Sequence, residues 1–163
     1  MYRIGIGYDS HKFCDGKQLV IGGIKIEYGK GLKGHSDGDV LLHAIADAML
    51  GASGLGDIGL YFPDTDEKYM DMDSSIILKE VLNKVLQEGY EVVNVDCVLI
   101  AQEPKLSSYY GKMIKRISEI LEVGEACVNI KAKTNEGMGF IGRCEGIAGF
   151  AVVLLAKLTE GGC

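Results

Sequence analysis

The sequence predicts an α/β fold of α+β-like character: a mixed sheet of four to five strands packed with about three helices, in one domain spanning residues 1–163. Three observations carry this reading. Apolar residues alternate with a period of two in short segments rich in β-branched residues, they recur at helical spacing in three longer segments, and the two kinds are interleaved along the chain. A composition of 47% hydrophobic and 25% charged residues is that of a globular chain with a proper core, not a disordered one.

Arg3 to His11 places Ile4, Ile6 and Tyr8 on one side and Gly5, Gly7, Asp9 and His11 on the other, the period of a half-buried strand. Asp9 and His11 therefore point the same way, beside two glycines that leave room for another group. Leu19 to Tyr28 is β-branched with a Gly-Gly break, hence a bent strand or hairpin. The chain is organised around Gly34 to Met49, where small polar residues give way near Asp39 to helix formers, with Ser36, Asp37 and Asp39 as cap candidates. Asp39, His43 and Asp47 follow at four-residue steps and share a face, while Val40, Leu41, Leu42, Ala44, Ile45, Ala48 and Met49 bury the others.

Gly51 to Tyr61 is glycine-rich, and Phe62 to Asp66, with its proline and short acids, reads as an exposed loop. Asp73 to Gly89 is a helix capped at Asp73 or Ser74, Val92 to Gln102 a strand, and Leu106 to Val123 an amphipathic helix. Val128 to Lys133 is a strand running into a glycine-rich turn. Gly146 to Leu158 is apolar on every side; Val152 and Val153 favour strand over helix.

A formal charge of −6 argues against nucleic acid as a partner, so an anionic ligand would need metal ions for much of its positive charge. Met1 leads straight into a strand-like segment, and the longest apolar run, Ile147 to Ala156, is too short to span a bilayer. No leader and no membrane are therefore expected. Cys14, Cys97, Cys127, Cys144 and Cys163 are odd in number and lack Cys-x-x-Cys spacing, which suggests reduced thiols in a cytoplasm.

Asp9-x-His11 on a strand and His43 on a helix offer one carboxylate and two imidazoles from rigid elements. Three such ligands leave a fourth tetrahedral position open, the arrangement of a catalytic rather than a structural zinc. Each histidine alone reads equally well as a hydrogen-bonded core residue, but His11, His35 and His43 all fall in glycine-flanked polar motifs. Gly34-His35-Ser36 can cradle a phosphate or simply begin a helix. Glu136 can ligate a hard cation such as Mg²⁺ or sit solvated in a turn. Ala101 to Lys105 either presents backbone groups to a ligand or is a plain connection, and Asp64, Asp66 and Glu67 read most simply as solvated loop.

The segments Asp9-x-His11, Gly34-His35-Ser36-Asp37-Gly38-Asp39-x-x-x-His43, Gly56-Asp57-Ile58-Gly59-x-x-Phe62-Pro63-Asp64-Thr65-Asp66, Ala101-Gln102-x-Pro104-Lys105 and Thr134-Asn135-Glu136-x-x-Gly139-Phe140-x-Gly142-Arg143 closely resemble the 2-C-methyl-D-erythritol 2,4-cyclodiphosphate synthase family, in the same order. The resemblance implies an intramolecular phosphoryl transfer in non-mevalonate isoprenoid biosynthesis that yields the cyclic diphosphate and CMP. It implies zinc on Asp9, His11 and His43, with Mg²⁺ or Mn²⁺ on Glu136. His35 and Thr134 match groups that position or stabilise the transition state. Ser36 with Phe62, Pro63, Asp64, Thr65 and Asp66 matches the cover over the methylerythritol phosphate, Asp57 and Gly59 match a clamp for sugar hydroxyls, and Ile58 between them is implied to touch substrate. Ala101, Gln102, Glu103, Pro104 and Lys105, with Ala132, Lys133 and Thr134, match a cytidine pocket, and the adjoining Leu106 and Asn135 are implied to touch substrate. The family also implies a homotrimer with active sites between subunits, and Phe140 and Arg143 match residues of a central cavity able to take an isoprenoid diphosphate. Two other readings compete: a zinc hydrolase that releases inorganic phosphate, and a non-catalytic trimeric nucleotide-binding module.

Overall fold

The computed structural model describes residues 1–63 and 65–158, without the side chain of Glu67; Asp64 and Cys163 lie outside the described residues. Seven strands and five α-helices follow in the order β1 (Tyr2–Cys14), β2 (Leu19–Ile21), β3 (Ile24–Ile26), β4 (Gly31–Leu32), α1 (Val40–Ser53), α2 (Ile58–Tyr61), α3 (Ser74–Gln87), β5 (Tyr90–Ile100), α4 (Tyr110–Leu121), β6 (Val128–Lys133), α5 (Gly139–Gly142) and β7 (Gly146–Lys157). Five strands form one mixed sheet in the order β4-β1-β7-β5-β6, antiparallel except for β5 and β6, and β2 and β3 form a separate hairpin. The long helices α1, α3 and α4 match the three expected. The Gly-Gly break is the turn of the β2–β3 hairpin, and the apolar C-terminal segment is a strand, β7.

The parallel pair β5–β6 needs a crossover, and α4 supplies it. The registers then put Lys133, Ile100, Ala148 and Ser10 in one row across four strands. That row brings the ends of β5 and β6 to the same end of the sheet as Asp9 and His11.

β1 keeps its period of two, but hydropathy alone would choose the wrong side to bury. Gly5 and Gly7 are covered, whereas Ile4 and Ile6 are 71% and 70% exposed. The cause is helix α1, which lies directly on the glycines: a Cβ at Gly7 would stand 1.9 Å from the Ala44 carbonyl oxygen, and one at Gly5 would stand 2.0 Å from that of Ala48. Gly149, in the neighbouring strand, would meet the Val40 carbonyl oxygen at 2.9 Å. The opposite side of the sheet exposes Tyr2, Ile4, Ile6, Tyr8, Phe150 and Val152, with the Tyr8 and Phe150 rings 4.7 Å apart.

Asp39 does not share the outward face of His43 and Asp47. It is the N-cap of α1, with non-helical backbone, and its fully buried carboxylate accepts from Leu41 and Leu42 of the first turn and from Gly22 and Gly23 of the hairpin at 2.7 to 3.1 Å. Four N–H donors satisfy a buried charge and pin the hairpin to the start of the helix. Asp73 caps α3 through the Ser75 N–H, as its position predicts.

Candidate active site

Asp9 and His11 leave β1 on the side covered by α1, and His43, one turn into α1, comes down on them. Asp9 Oδ2 lies 2.9 Å from both His11 Nε2 and His43 Nδ1, and those two nitrogens are 3.4 Å apart. A tetrahedral ion with bonds of 2.0–2.1 Å separates its ligand atoms by about 3.3 Å. The three atoms therefore surround a place for an ion after an expansion of a few tenths of an ångström. All three residues are half-buried, and among the described residues they form the one His/Cys/Asp/Glu group able to hold a metal.

The electrostatics agree. Burial favours the neutral acid at Asp9, but hydrogen bonds from His11 and His43, and their charges, hold its carboxyl well below the usual carboxylate range. Burial disfavours a charged ring at His11, yet the Asp9 carboxylate bonded to it lifts it above the ordinary histidine value of 6.5. A metal must displace that proton, so its affinity rises with pH and falls as pH drops through the raised His11 value. Metal affinity measured by chelator competition should decline on the order of tenfold per pH unit for each proton displaced once the pH is below the raised His11 value.

The cleft over the triad, about 160 Å³ in volume, is lined by His35, Ser36, Asp47, Ile58, Gly59, Phe62, Tyr69 and Ile77. Its polar wall comes from the loop before α1 and its apolar wall from α2, the following loop and α3. His35 Nε2 lies 3.0 Å from the Asp66 carbonyl oxygen, and Ser36 Oγ lies 3.1 Å from His43 Nε2. Burial raises the Asp47 carboxyl, opposed by the Ile58 N–H that it accepts at 2.8 Å and reinforced by Asp57 and Asp9.

Several expected residues face elsewhere. Asp57 caps α2 through the Leu60 N–H, so Ile58 and Gly59 reach the cleft while its carboxylate is spent on the helix. Thr65 and Asp66 are exposed and Pro63 half-buried; of the described 62–66 loop residues only Phe62 lines the cleft. Glu136 stands apart from the triad, in a left-handed turn with φ of 50°, and accepts from the Thr134 hydroxyl at 3.0 Å.

A second cavity lies at the ends of β5 and β6, lined by Ala101, Gln102, Pro104, Lys105, Leu106, Ala132, Lys133 and Thr134, with Ser107 and Tyr110. It thus gathers most of the expected pocket residues, but Glu103 faces Tyr28 at 3.5 Å and the Asn135 amide donates to the Met138 carbonyl. Phe140 lines a third depression with Ser10, His11, Lys12 and Glu145, while Arg143 Nε donates to Glu145 Oε1 at 2.7 Å. Tyr69 and Ile77 are wall residues that sequence reasoning missed: the first sits in an acidic loop, and the second belongs to a helical apolar stripe that reads as core.

A family model described as the YgbB family matches residues 2–156. The chain belongs to the YgbB family. It is 56% identical over 157 residues to the 2-C-methyl-D-erythritol 2,4-cyclodiphosphate synthase of Geobacillus sp. (strain WCH70), covering 96% of this chain and 99% of that one. The synthase of Bacillus cytotoxicus is also 56% identical, over 96% of this chain and 99% of its own. Among solved structures, "IspF (Plasmodium falciparum) CDP complex" superposes with a TM-score of 0.85 at 38% identity, covering 97% of each chain. The bifunctional IspDF from Campylobacter jejuni gives a TM-score of 0.94 at 43% identity over 97% of this chain, which spans only 43% of that protein. As a YgbB family member the chain is an enzyme, with the cyclodiphosphate synthase role in isoprenoid biosynthesis. No helix among the described residues is long and apolar enough to cross a membrane.

Proposed function

We propose that this enzyme, as one domain over residues 1–163, converts 4-diphosphocytidyl-2-C-methyl-D-erythritol 2-phosphate to 2-C-methyl-D-erythritol 2,4-cyclodiphosphate and CMP. An oxygen of the 2-phosphate attacks the β-phosphorus of the same molecule; the new P–O bond closes the ring as the bond to the α-phosphate oxygen breaks, and CMP leaves with that electron pair. The convergence of Asp9, His11 and His43 on one point of the cleft carries the proposal. Intramolecular transfer asks the protein mainly to fold the substrate into line and to offset its charge.

Asp9, His11 and His43 would hold Zn²⁺, which polarises the phosphate under attack and offsets charge that an acidic chain does not. Glu136 would hold Mg²⁺ or Mn²⁺; a single exposed carboxylate suits an ion that keeps several waters and shares substrate phosphates. His35 and Ser36 hold the phosphate end, and Thr134 supports the transferring group. At about 160 Å³ the cleft is small beside a pocket for a drug-sized ligand, which supports assigning it the methylerythritol phosphate. The cytidine belongs in the cavity from Ala101 to Leu106 and Ala132 to Thr134, a reading supported by the CDP named with a solved relative. The free thiols of Cys14, Cys97, Cys127 and Cys144 are in keeping with a cytoplasmic setting.

The exposed apolar side of β1 and β7 supports a homotrimer, because a monomer seldom leaves six large side chains clustered in water. Light scattering should then give about 53 kDa, three times 17.6 kDa, and Ile4→Lys with Ile6→Lys should give the single-subunit mass. Phe140 and Arg143 would take an isoprenoid diphosphate. Incubating the purified protein and Mg²⁺ with the substrate should release CMP without inorganic phosphate. Release of phosphate would instead support a zinc hydrolase.

A further inference from the structure

The Nε2 atom of His43, on the far side of the ring from the triad, is engaged at 2.8 Å by the hydroxyl of Ser74, the first residue of α3. Ser74 is fully buried, and its Oγ lies 2.5 Å from Asp37 Oδ1, while its backbone N–H donates to Asp37 Oδ2 at 3.1 Å. A hydroxyl carries one proton and a carboxylate carries none, so Ser74 donates to Asp37 and has only lone pairs left for His43. His43 must then be the donor at Nε2. Donation at Nε2 leaves Nδ1, which faces Asp9 Oδ2 and His11 Nε2, as the ring atom that a metal would take. Ser36 Oγ also lies 3.1 Å from Nε2, and its acceptance of the Gly38 N–H at 3.3 Å leaves it able to share the same proton.

We propose that Asp37 and Ser74 are positioning residues for the metal: together they orient the His43 ring and keep its Nδ1 lone pair directed at the ion. This inference rests on the reading of Asp9, His11 and His43 as metal ligands and extends it to two residues that do not touch the ion. Outer partners of ligating imidazoles commonly contribute 10- to 100-fold in metal affinity. Asp37 also ties the site to the segment before α3. Asp37 N–H donates to the Met72 carbonyl oxygen at 3.2 Å, and Asp71 N–H donates to the His35 carbonyl oxygen at 2.7 Å. That segment is thus fastened to the loop carrying His35 and Ser36, and Ser74 follows it directly.

The test uses the whole enzyme and two readouts: the Zn²⁺ dissociation constant by chelator competition, and the protonated nitrogen of His43 in the metal-free protein from long-range ¹⁵N–¹H spectra. Ser74→Ala keeps the Asp73 cap and should weaken Zn²⁺ binding 10- to 100-fold. Asp37→Ala makes a sharper demand. It leaves Ser74 in place but frees its hydroxyl to donate to Nε2, so the ring proton should move to Nδ1 and affinity should fall although every ligand remains. Unchanged affinity and an unchanged ring proton in either folded variant overturn the proposal. Should the wild-type enzyme bind no Zn²⁺, the metal reading itself fails; should it bind and both variants match it, only the roles of Asp37 and Ser74 fail.

Discussion

His43→Ala should reduce turnover by at least about 10³-fold, equivalent to roughly 4 kcal/mol of lost transition-state stabilisation. The residue contributes one of three converging donor atoms, and its removal leaves Asp9 and His11 as a pair too small to hold the ion against water. Metal content by elemental analysis should fall in step with the rate, while circular dichroism stays that of the wild type. Cytidine nucleotide binding, which the proposed function assigns to the separate cavity at the ends of β5 and β6, should persist. A variant that turned over normally would remove the triad from the chemistry, and a wild-type protein that bound nucleotide without turnover, with binding unchanged in the variant, would favour a binding module.

Gly7→Ala should destabilise the fold by about 3 kcal/mol or more, at the upper end of what overpacking costs, because the obstruction is backbone and cannot rotate away. Its Cβ would fall 1.9 Å from the Ala44 carbonyl oxygen and 2.7 Å from the Ala48 nitrogen, so α1 has to move off the sheet. His43 travels with α1, and metal affinity should fall as well. Gly51→Ala is the matching control in the same helix: nothing lies within 4 Å of its Cβ, and replacing a helical glycine should stabilise by about 0.5–1 kcal/mol. Urea denaturation of the two variants, with midpoints shifted in opposite directions, checks both statements.

Much of the site was legible because its geometry is local. Asp9 and His11 are two residues apart on a strand, and His43 stands one turn inside a helix whose start is marked by Asp39. Periodicity alone aims such side chains. What escaped it depends on who sits opposite. Asp39 falls on the spacing of His43 and Asp47, but as a cap its side chain turns back to the hairpin glycines, which no helical wheel foretells. The buried side of β1 carries glycines, and only the approach of α1 explains why Ile4 and Ile6 face outward. Asp57 was read as a clamp from its motif, yet a short helix beginning at Ile58 claims its carboxylate. Ser74 reads in the sequence only as a cap candidate: its place against His43, 31 residues earlier in the chain, arises where two helices meet end to side.

His11 and His43 are 32 residues apart in sequence, one on the first strand and the other on the helix laid over it. An ion gripped by both would also be a fastener between layers, present in the native state and absent from the unfolded chain, and so would add to stability by mass action. Heat tolerance should therefore track metal supply, with a chelator lowering the melting temperature even where no substrate is in sight. A cell short of that metal would face this enzyme's loss twice over, first as idle catalyst and then as unravelled chain.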